Sequence, residues 1–132
     1  MIKKERYIEE WDQWPSVTQV LSTLEKPALT AWLRRTSPAE IAAVSITSKN
    51  IGTTVHENID RIETGEQVDV KTEYPEEVSN CINSYFAWKK QNEFEVVASE
   101  IKMLDKELGY KGIADRILRD GKPRLIIVDW KT

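Results

Sequence analysis

The sequence predicts an α/β protein in which several helices precede a small sheet. Three observations favour this class. Capping residues and prolines come ahead of apolar residues with helical spacing between positions 14 and 91. β-Branched residues are frequent in the region 93–132. Within that region an Asp120-Gly121-Lys122-Pro123 turn separates two such runs, and this pattern predicts an antiparallel hairpin.

Composition limits the possible classes of protein. With 132 residues, the chain is expected to form a single domain, 1–132, with a helical part at 14–91 and a sheet at 93–132. Its one cysteine, Cys81, excludes an internal disulfide and a four-thiolate iron–sulfur cluster. The net charge of −3 argues against coating nucleic acid by bulk electrostatics.

The expected location also follows from composition. No stretch approaches the roughly 20 apolar residues that a membrane span needs, and no apolar signal region follows the amino terminus. We therefore expect no membrane association and a cytoplasmic protein, in the cytoplasm of the host if the gene belongs to a phage.

The first helices are predicted from their capping residues. Residues 1–13 lack a clear period and are expected to form an arm. Ser16 is positioned to cap a first helix, and Pro27 to begin a second. Ser37, followed three residues later by a glutamate, forms a capping box before a short helix over residues 39–44. Val17, Val20, Leu21 and Leu24 are expected to share one face of the first helix. The side chains expected to face inward from the second helix are Leu29, Trp32 and Leu33.

Two longer helices are predicted next. The first runs from about Ser48 to Glu63, with Ile51, Val55, Ile59 and Ile62 forming an apolar stripe beside His56. Residues 64–66 end it, and Pro75 begins the following helix. The residues expected to form the core of that helix are Val78, Cys81, Ile82, Tyr85 and Phe86.

The sheet is predicted from three alternating segments. Residues 93–102 form the first, and Gly109 ends the turn that follows. The hairpin consists of residues 113–118 and 124–128.

Two carboxylates are expected to meet near one end of this sheet. Asp115 lies across from the neighbourhood of Asp129 in the predicted hairpin. Strand periodicity puts Asp129 and Lys131 on one face and Trp130 on the other. A pocket of two or three carboxylates and a backbone carbonyl suits Mg²⁺. A neighbouring lysine can orient a water or stabilise charge on a phosphorus under attack.

The setting of these acids distinguishes two interpretations. They could be solvated carboxylates at strand ends. The apolar run 125–128, however, predicts a central strand, where an unpaired charge costs several kcal/mol, and this favours a functional pair. Glu100 is a third candidate carboxylate, with Glu95 on the same strand as its rival.

Several motifs occur in order along the chain. Gly112-Ile113-Ala114-Asp115 fits a Gly-x-x-Asp pattern, and Asp129-Trp130-Lys131-Thr132 fits an Asp-x-Lys pattern. Gly52-Thr53-Thr54-Val55-His56 fits a helical Gly-Thr-x-x-His motif. Together these motifs resemble the RecB-like exonuclease branch of the PD-(D/E)XK nuclease superfamily. Trp14-Pro15-Ser16-Val17-Thr18 and Lys26-Pro27-Ala28-Leu29 are similar to the opening of phage-type members and of mitochondrial genome maintenance exonucleases.

The resemblance implies a restriction-endonuclease-like core, with a mixed sheet that contains an antiparallel hairpin and is flanked by N-terminal helices. It also implies an Mg²⁺- or Mn²⁺-dependent DNA exonuclease of replication, recombination or repair. Lys131 would position the attacking water. The residues that would hold or support the ion are Asp115, Asp129, the Trp130 carbonyl, Glu100 and His56.

The expected partner is DNA that is single-stranded or has free ends, bound mainly through backbone phosphates. RecB-like members continue beyond the lysine with a helix and a strand. Either the sequence is a fragment of a longer gene product or these elements are missing, and in the second case we expect self-association or a partner to complete the fold. A non-catalytic DNA-binding or assembly module and a structure-selective endonuclease remain alternative functions.

His56, Gly52 and the basic clusters each have two possible roles. His56 taken alone is more typical of a structural histidine than of a ligand, and Gly52 serves either helix packing or close approach by nucleic acid. Local basic clusters form either a phosphate track or a solvated surface. These clusters are Arg34-Arg35, Lys89-Lys90, and Lys102 with Lys106 and Lys111.

Overall fold

A computed structural model describes residues 8–70 and 74–132. The protein is mixed α/β, as predicted, and it contains four α-helices and a three-stranded sheet in the described part of the chain. The part of the expected arm before residue 8 lies outside the described residues. The elements are a 3₁₀ turn at Trp11–Gln13, α1 Val17–Leu21, α2 Pro27–Arg35, α3 Pro38–Glu63, α4 Glu76–Gln91, β1 Glu95–Asp105, β2 Tyr110–Arg119 and β3 Leu125–Val128.

The chain divides into two compact units. One contains residues 8–27 and Glu93–Asp129, and the other contains Ala28–Asn92 and Trp130–Thr132. The first is a sheet unit and the second a helical unit.

The sheet has the strand order β1-β2-β3, and both pairings are antiparallel. The hairpin predicted around Gly121 is confirmed, and this glycine has a φ of 77°, which a residue without Cβ adopts at little cost. The expectation of a mixed sheet was wrong for the described strands, because the two turns that join them return the chain antiparallel.

The first helix contacts the middle strand of the sheet. Ser16 caps α1 with Gln19: the Gln19 amide donates to Ser16 Oγ at 3.1 Å, and the Ser16 amide donates to Gln19 Oε1 at 2.7 Å. The Lys111 amide donates to the Pro15 carbonyl at 2.9 Å. A Cβ added at Gly112 would lie 3.1 Å from Val17 Cγ2. The lack of a side chain at Gly112 therefore lets α1 approach β2 closely.

The inward orientation expected for the apolar residues of α2 was largely wrong. Helical periodicity determines which side chains share a face but not whether another element covers that face. The first helix also ends at Leu21, so Leu24 lies beyond it. The residues that remain exposed are Val17, Val20, Leu21, Leu24, Leu29 and Leu33.

The third helix is longer than expected. The predicted short helix over 39–44 and the predicted helix from Ser48 are parts of one helix, α3, of 26 residues. Neither glycine nor proline occurs between them, so nothing in the backbone forces an interruption. Ser37 caps this helix by accepting from the Glu40 amide at 3.2 Å, as the capping box predicted.

The core of the helical unit lies between α3 and α4. The predicted stripe on α3 is confirmed, and Tyr85 of α4 is also buried. Phe86 is 39% exposed, so its assignment to the core was wrong: it lies one position, about 100° of helical turn, beyond Tyr85. Cys81 is partly buried against this core. The buried apolar residues are Val55, Ile59, Ile62, Val78, Ile82 and Tyr85.

A hydrogen-bonded group of polar side chains adjoins this core. Asn58 is 3% exposed, and its Oδ1 accepts from Tyr74 Oη at 2.7 Å and from Arg61 Nη1 at 3.0 Å. Its Nδ2 donates to the Thr54 carbonyl at 2.8 Å. The buried amide is therefore satisfied on both sides.

Within residues 8–70 and 74–132, none of the helices combines the length and the apolar character required to cross a membrane.

Candidate functional site

The register of the flanking pairs places Glu100 opposite Asp115 on β1 and β2, and Asp129 directly follows the last residue of β3. Arg116 pairs with Val128 across β2 and β3, so the same register, if continued by one residue, would put Asp115 opposite Asp129. On the other side Arg116 pairs with Ser99 and Ala114 with Ile101, so Glu100 lies opposite Asp115. Directly opposed residues of antiparallel strands have Cβ atoms about 4.5–5.5 Å apart. We call Glu100, Asp115 and Asp129 the carboxylate row.

The backbone at Glu100 is unusual. Its φ is 46°, in the left-handed region that residues other than glycine seldom adopt. The pairs on either side keep one register, so no residue is inserted at this point. Strained backbone of this kind is enriched at functional sites.

Glu95, the alternative to Glu100 as the third candidate acid, lies at a different position on β1. Glu95 pairs with Arg119, and its Oε2 lies 3.4 Å from Arg119 Nη1. Five residues of extended strand, about 17 Å, separate Glu95 from Glu100. Glu100 is therefore the residue of this strand that belongs to the carboxylate row.

The prediction of a central strand at 125–128 was wrong, whereas the shared face of Asp129 and Lys131 stays a prediction. β3 ends at Val128, so strand periodicity does not decide how Asp129 and Lys131 are oriented. β3 is also an edge of the described sheet, and Leu125 and Ile127 are 60% and 63% exposed. Asp129 is exposed, so its charge has no large desolvation cost. Asp115 is half-buried.

Arg116 is a further charged residue beside the carboxylate row. It is 1% exposed, and its Nη1 donates to the main-chain oxygen of Asp115 at 2.6 Å. A buried guanidinium that holds the backbone of Asp115 fixes the position of that residue on β2. Arg116 was not among the site residues predicted from the sequence. An arginine within an apolar strand is unusual, and this pattern could have indicated it.

His56 contacts the main chain of Trp130 within the helical unit. Its Nε2 lies 3.3 Å from the Trp130 carbonyl oxygen. Because a carbonyl only accepts, this bond requires the proton on Nε2. The same nitrogen cannot then coordinate a metal, so the contact supports an orienting role for His56 and argues against ligation through Nε2.

Gly52 lies one helical turn before His56 and close to the end of the sequence. A Cβ added at Gly52 would lie 3.6 Å from Thr132 Oγ1, which is an ordinary contact distance. The neighbour of Gly52 in the structure is thus Thr132, and the space is sufficient for a methyl group.

An open cavity of about 270 Å³ lies in the helical unit. Trp130 forms part of its wall, with its ring perpendicular to two others: the centroids of Tyr85 and Trp88 each lie 5.4 Å from it, at interplanar angles of 88° and 79°. The residues that line the cavity are Val55, Ile59, Cys81, Ser84, Tyr85, Trp88, Trp130, Lys131 and Thr132. We call this feature the aromatic cavity.

The predicted basic clusters have identifiable contacts. The ammonium groups of Lys102 and Lys111 lie 5.5 Å and 4.9 Å from the centre of the Trp11 ring, and Lys111 Nζ donates to the Trp11 carbonyl at 2.7 Å. These two lysines therefore help to hold the segment around Trp11. Lys89 Nζ lies 5.9 Å from the centre of the Tyr85 ring.

The donor set of the carboxylate row consists of oxygen atoms, which suits a hard divalent ion. Within the described ranges, 8–70 and 74–132, no three histidine, cysteine, aspartate or glutamate side chains are grouped so that they could hold a metal ion. Strand register therefore aligns the acids of the row, but their side chains are not gathered into a coordination site.

The aromatic cavity was missed by the sequence analysis. Cys81, Tyr85 and Trp88 recur at helical spacing on α4, and this signal predicts a shared face. Trp130 is distant in sequence, and no local pattern predicts its addition to that face.

No protein-family model, curated protein or solved structure matches this chain.

Proposed function

We propose that the protein is a metal-dependent DNA exonuclease with a restriction-endonuclease-like core, hydrolysing phosphodiester bonds in replication, recombination or repair. The observation that supports the proposal is the carboxylate row: the flanking pairs align Glu100 with Asp115, and Asp129 directly follows β3, which pairs with the strand of Asp115. Carboxylates directly opposite one another repel, and this arrangement is costly unless a cation is shared.

The proposed ion is Mg²⁺ or Mn²⁺, held by Asp115 and Asp129 with support from Glu100. When bound, such an ion polarises a phosphoryl oxygen and makes a coordinated water more acidic. The buried Arg116 fixes the backbone of Asp115 through its 2.6 Å hydrogen bond. The protein itself thus contributes oxygen ligands on a rigid strand.

The roles of His56 and Lys131 follow from their chemistry. His56 orients the Trp130 carbonyl through the 3.3 Å contact and acts as a positioning residue. The ammonium of Lys131 is exposed and is suited to orienting a water or to stabilising the charge that develops on the phosphate. DNA phosphates would supply most of the binding energy, with little dependence on sequence.

The test is digestion of DNA labelled at its ends and of closed circular DNA, each with and without Mg²⁺. We expect Mg²⁺-dependent release of nucleotides from linear DNA only. Asp115→Asn should lower the cleavage rate at least about 100-fold. Loss of a residue that only orients a metal ligand typically lowers activity about 10–100-fold, and loss of the ligand itself should lower it further. Asp120→Asn removes an equivalent carboxylate at the hairpin turn and should leave the rate nearly unchanged.

Other outcomes would replace the proposal. Cutting of closed circles would indicate a structure-selective endonuclease. Binding of DNA without cleavage would indicate a non-catalytic DNA-binding or assembly module. Equal rates for Asp115→Asn and the unaltered protein would exclude the carboxylate row as the site.

A further inference from the structure

The aromatic cavity has features that the proposed chemistry of the carboxylate row does not use. It lies in the helical unit, and three aromatic side chains, Tyr85, Trp88 and Trp130, contribute to its wall. Its volume of about 270 Å³ is just below the roughly 300–1,000 Å³ of pockets for drug-sized ligands. The cavity therefore suits a ligand with a single flat ring system.

We propose that the aromatic cavity is a subsite for one nucleobase of a nucleic acid, stacked on the aromatic wall with its phosphate near Lys131. This inference rests on the proposed function, because the base would belong to the DNA that is cut. Stacking on an aromatic face tolerates every base, since all bases have a π face.

Charge at the cavity supports an anionic aromatic ligand. Lys131 belongs to the lining, and Lys89 lies over the Tyr85 ring at 5.9 Å. The lining, all of it within the described residues, includes no aspartate or glutamate. The acidic group that contacts this wall is Glu63, which accepts from Tyr85 Oη at 3.1 Å. The positive charges of Lys131 in the lining and of Lys89 beside it disfavour a cationic guest and favour a phosphate.

Polar groups in the lining can meet the edge of a base. Ser84 Oγ donates to the Asn80 carbonyl at 2.9 Å, so its proton is engaged and its lone pairs can accept. Thr132 contributes a second hydroxyl to the lining. A few polar groups in a mostly apolar cavity are typical of sites that orient a ligand.

Cys81 provides a direct reporter, because it lines the cavity and is the one cysteine of the sequence. The experiment measures the rate of Cys81 alkylation by iodoacetamide, followed by mass spectrometry, with dAMP, dTMP, deoxyadenosine or inorganic phosphate. We expect dAMP and dTMP to slow alkylation in a saturable way, deoxyadenosine to do so with weaker affinity, and phosphate alone to have no effect. No protection by either nucleotide at millimolar concentration, or equal protection by phosphate alone, would overturn the proposal.

Variants separate base stacking from charge. Trp88→Leu keeps an apolar side chain but removes a flat wall, and it should weaken dAMP protection about tenfold. Lys131→Gln should weaken dAMP binding while leaving that of deoxyadenosine unchanged. Trp11→Leu, a change outside the lining, is the matched control and should behave like the unaltered protein. Equal weakening by Trp88→Leu and Trp11→Leu would overturn the stacking role.

The assay contains neither Mg²⁺ nor a phosphodiester, so its result is independent of cleavage. Protection without any nuclease activity would reject the proposed function and retain a nucleotide site. Nuclease activity without protection would reject the subsite alone.

Discussion

The Nε2 atom of His56 lies 3.3 Å from the carbonyl oxygen of Trp130, although 74 positions separate the two residues in the sequence. The bond joins α3 to the residue that follows the last acid of the carboxylate row. A carbonyl oxygen only accepts, so Nε2 is the donor in this bond.

This contact predicts a graded effect of substitution at His56. His56→Ala removes the donor and should lower the free energy of unfolding by about 1 kcal/mol. Under the proposed function it should also weaken the apparent Mg²⁺ affinity about 10–100-fold, as loss of an orienting partner does. His56→Gln can still donate and should recover part of both losses. Urea denaturation and Mg²⁺ titration of cleavage are the measurements, and equal defects in the two variants would contradict an orienting role.

The carboxylate row predicts stabilisation by divalent ions without any substrate. At a Mg²⁺ concentration about tenfold above the Kd, the free energy of unfolding should rise by about 1.4 kcal/mol. Asp115→Asn and Asp129→Asn should each abolish this rise, whereas Glu95→Gln, which changes the acid paired with Arg119, should retain it. Denaturation with Mg²⁺ and with EDTA measures the difference. A rise that persists in the Asp115→Asn, Asp129→Asn double variant would assign the ion to another site.

Substitution by alanine at Gly52 and at Gly112, the glycines of two of the sequence motifs, should change the free energy of unfolding in opposite directions. Gly52 lies inside α3, where the new Cβ would have an ordinary 3.6 Å contact, so Gly52→Ala should stabilise the protein by about 0.5–1 kcal/mol. At Gly112 the new Cβ would lie 3.1 Å from Val17 Cγ2, so Gly112→Ala should destabilise it.

A double-mutant cycle with Val17 tests the destabilisation predicted for Gly112→Ala. In the Val17→Ala background the crowding at Gly112 is removed, and Gly112→Ala should no longer be destabilising. If the cost of Gly112→Ala is the same in both backgrounds, contact with Val17 is not its cause.

Asn58 should be the most sensitive polar position of the helical unit. Asn58→Ala leaves the hydroxyl of Tyr74 and the guanidinium of Arg61 without this shared acceptor, and it should cost about 1–3 kcal/mol in free energy of unfolding. Asn83→Ala, at an exposed position of α4, is the control and should change stability by less than about 0.5 kcal/mol. Similar losses in both variants would show that the buried network is not responsible.

The hairpin turn predicts a pH-dependent contribution to stability. Arg124 Nε donates to Asp120 Oδ2 at 2.9 Å, and hydrogen bonding by Arg124 lowers the pKa of Asp120 below its ordinary value of 3.8. The stabilisation is therefore complete well above pH 3.8 and is lost as the pH falls through the lower pKa of the folded state.

Thermal unfolding of the unaltered protein and of Asp120→Asn between neutral and acidic pH tests this prediction. The difference in Tm should shrink on acidification, and it should also shrink at neutral pH in high salt, because the pair is exposed. A difference that grows in acid would contradict the assigned direction.

Local interactions made much of the fold predictable. Ser16 and Ser37 cap helices where the sequence indicated, and Gly121 adopts the positive φ that its turn requires. These features depend on residues within a few positions of one another, so a short window of sequence contains their cause. The same local reasoning failed for Leu29 and Leu33 of α2, which are exposed, because burial depends on contacts with residues that are distant in the sequence.

The sequence by itself determined the helix starts, the hairpin and the presence of acids near its strand ends, because caps, turns and alternation act over a few residues. Only the tertiary structure decided that Glu100 rather than Glu95 lies opposite Asp115, and that Trp130 contacts His56 and the aromatic residues of α4. Such contacts join distant positions, and their geometry is set by strand register and by the packing of whole elements.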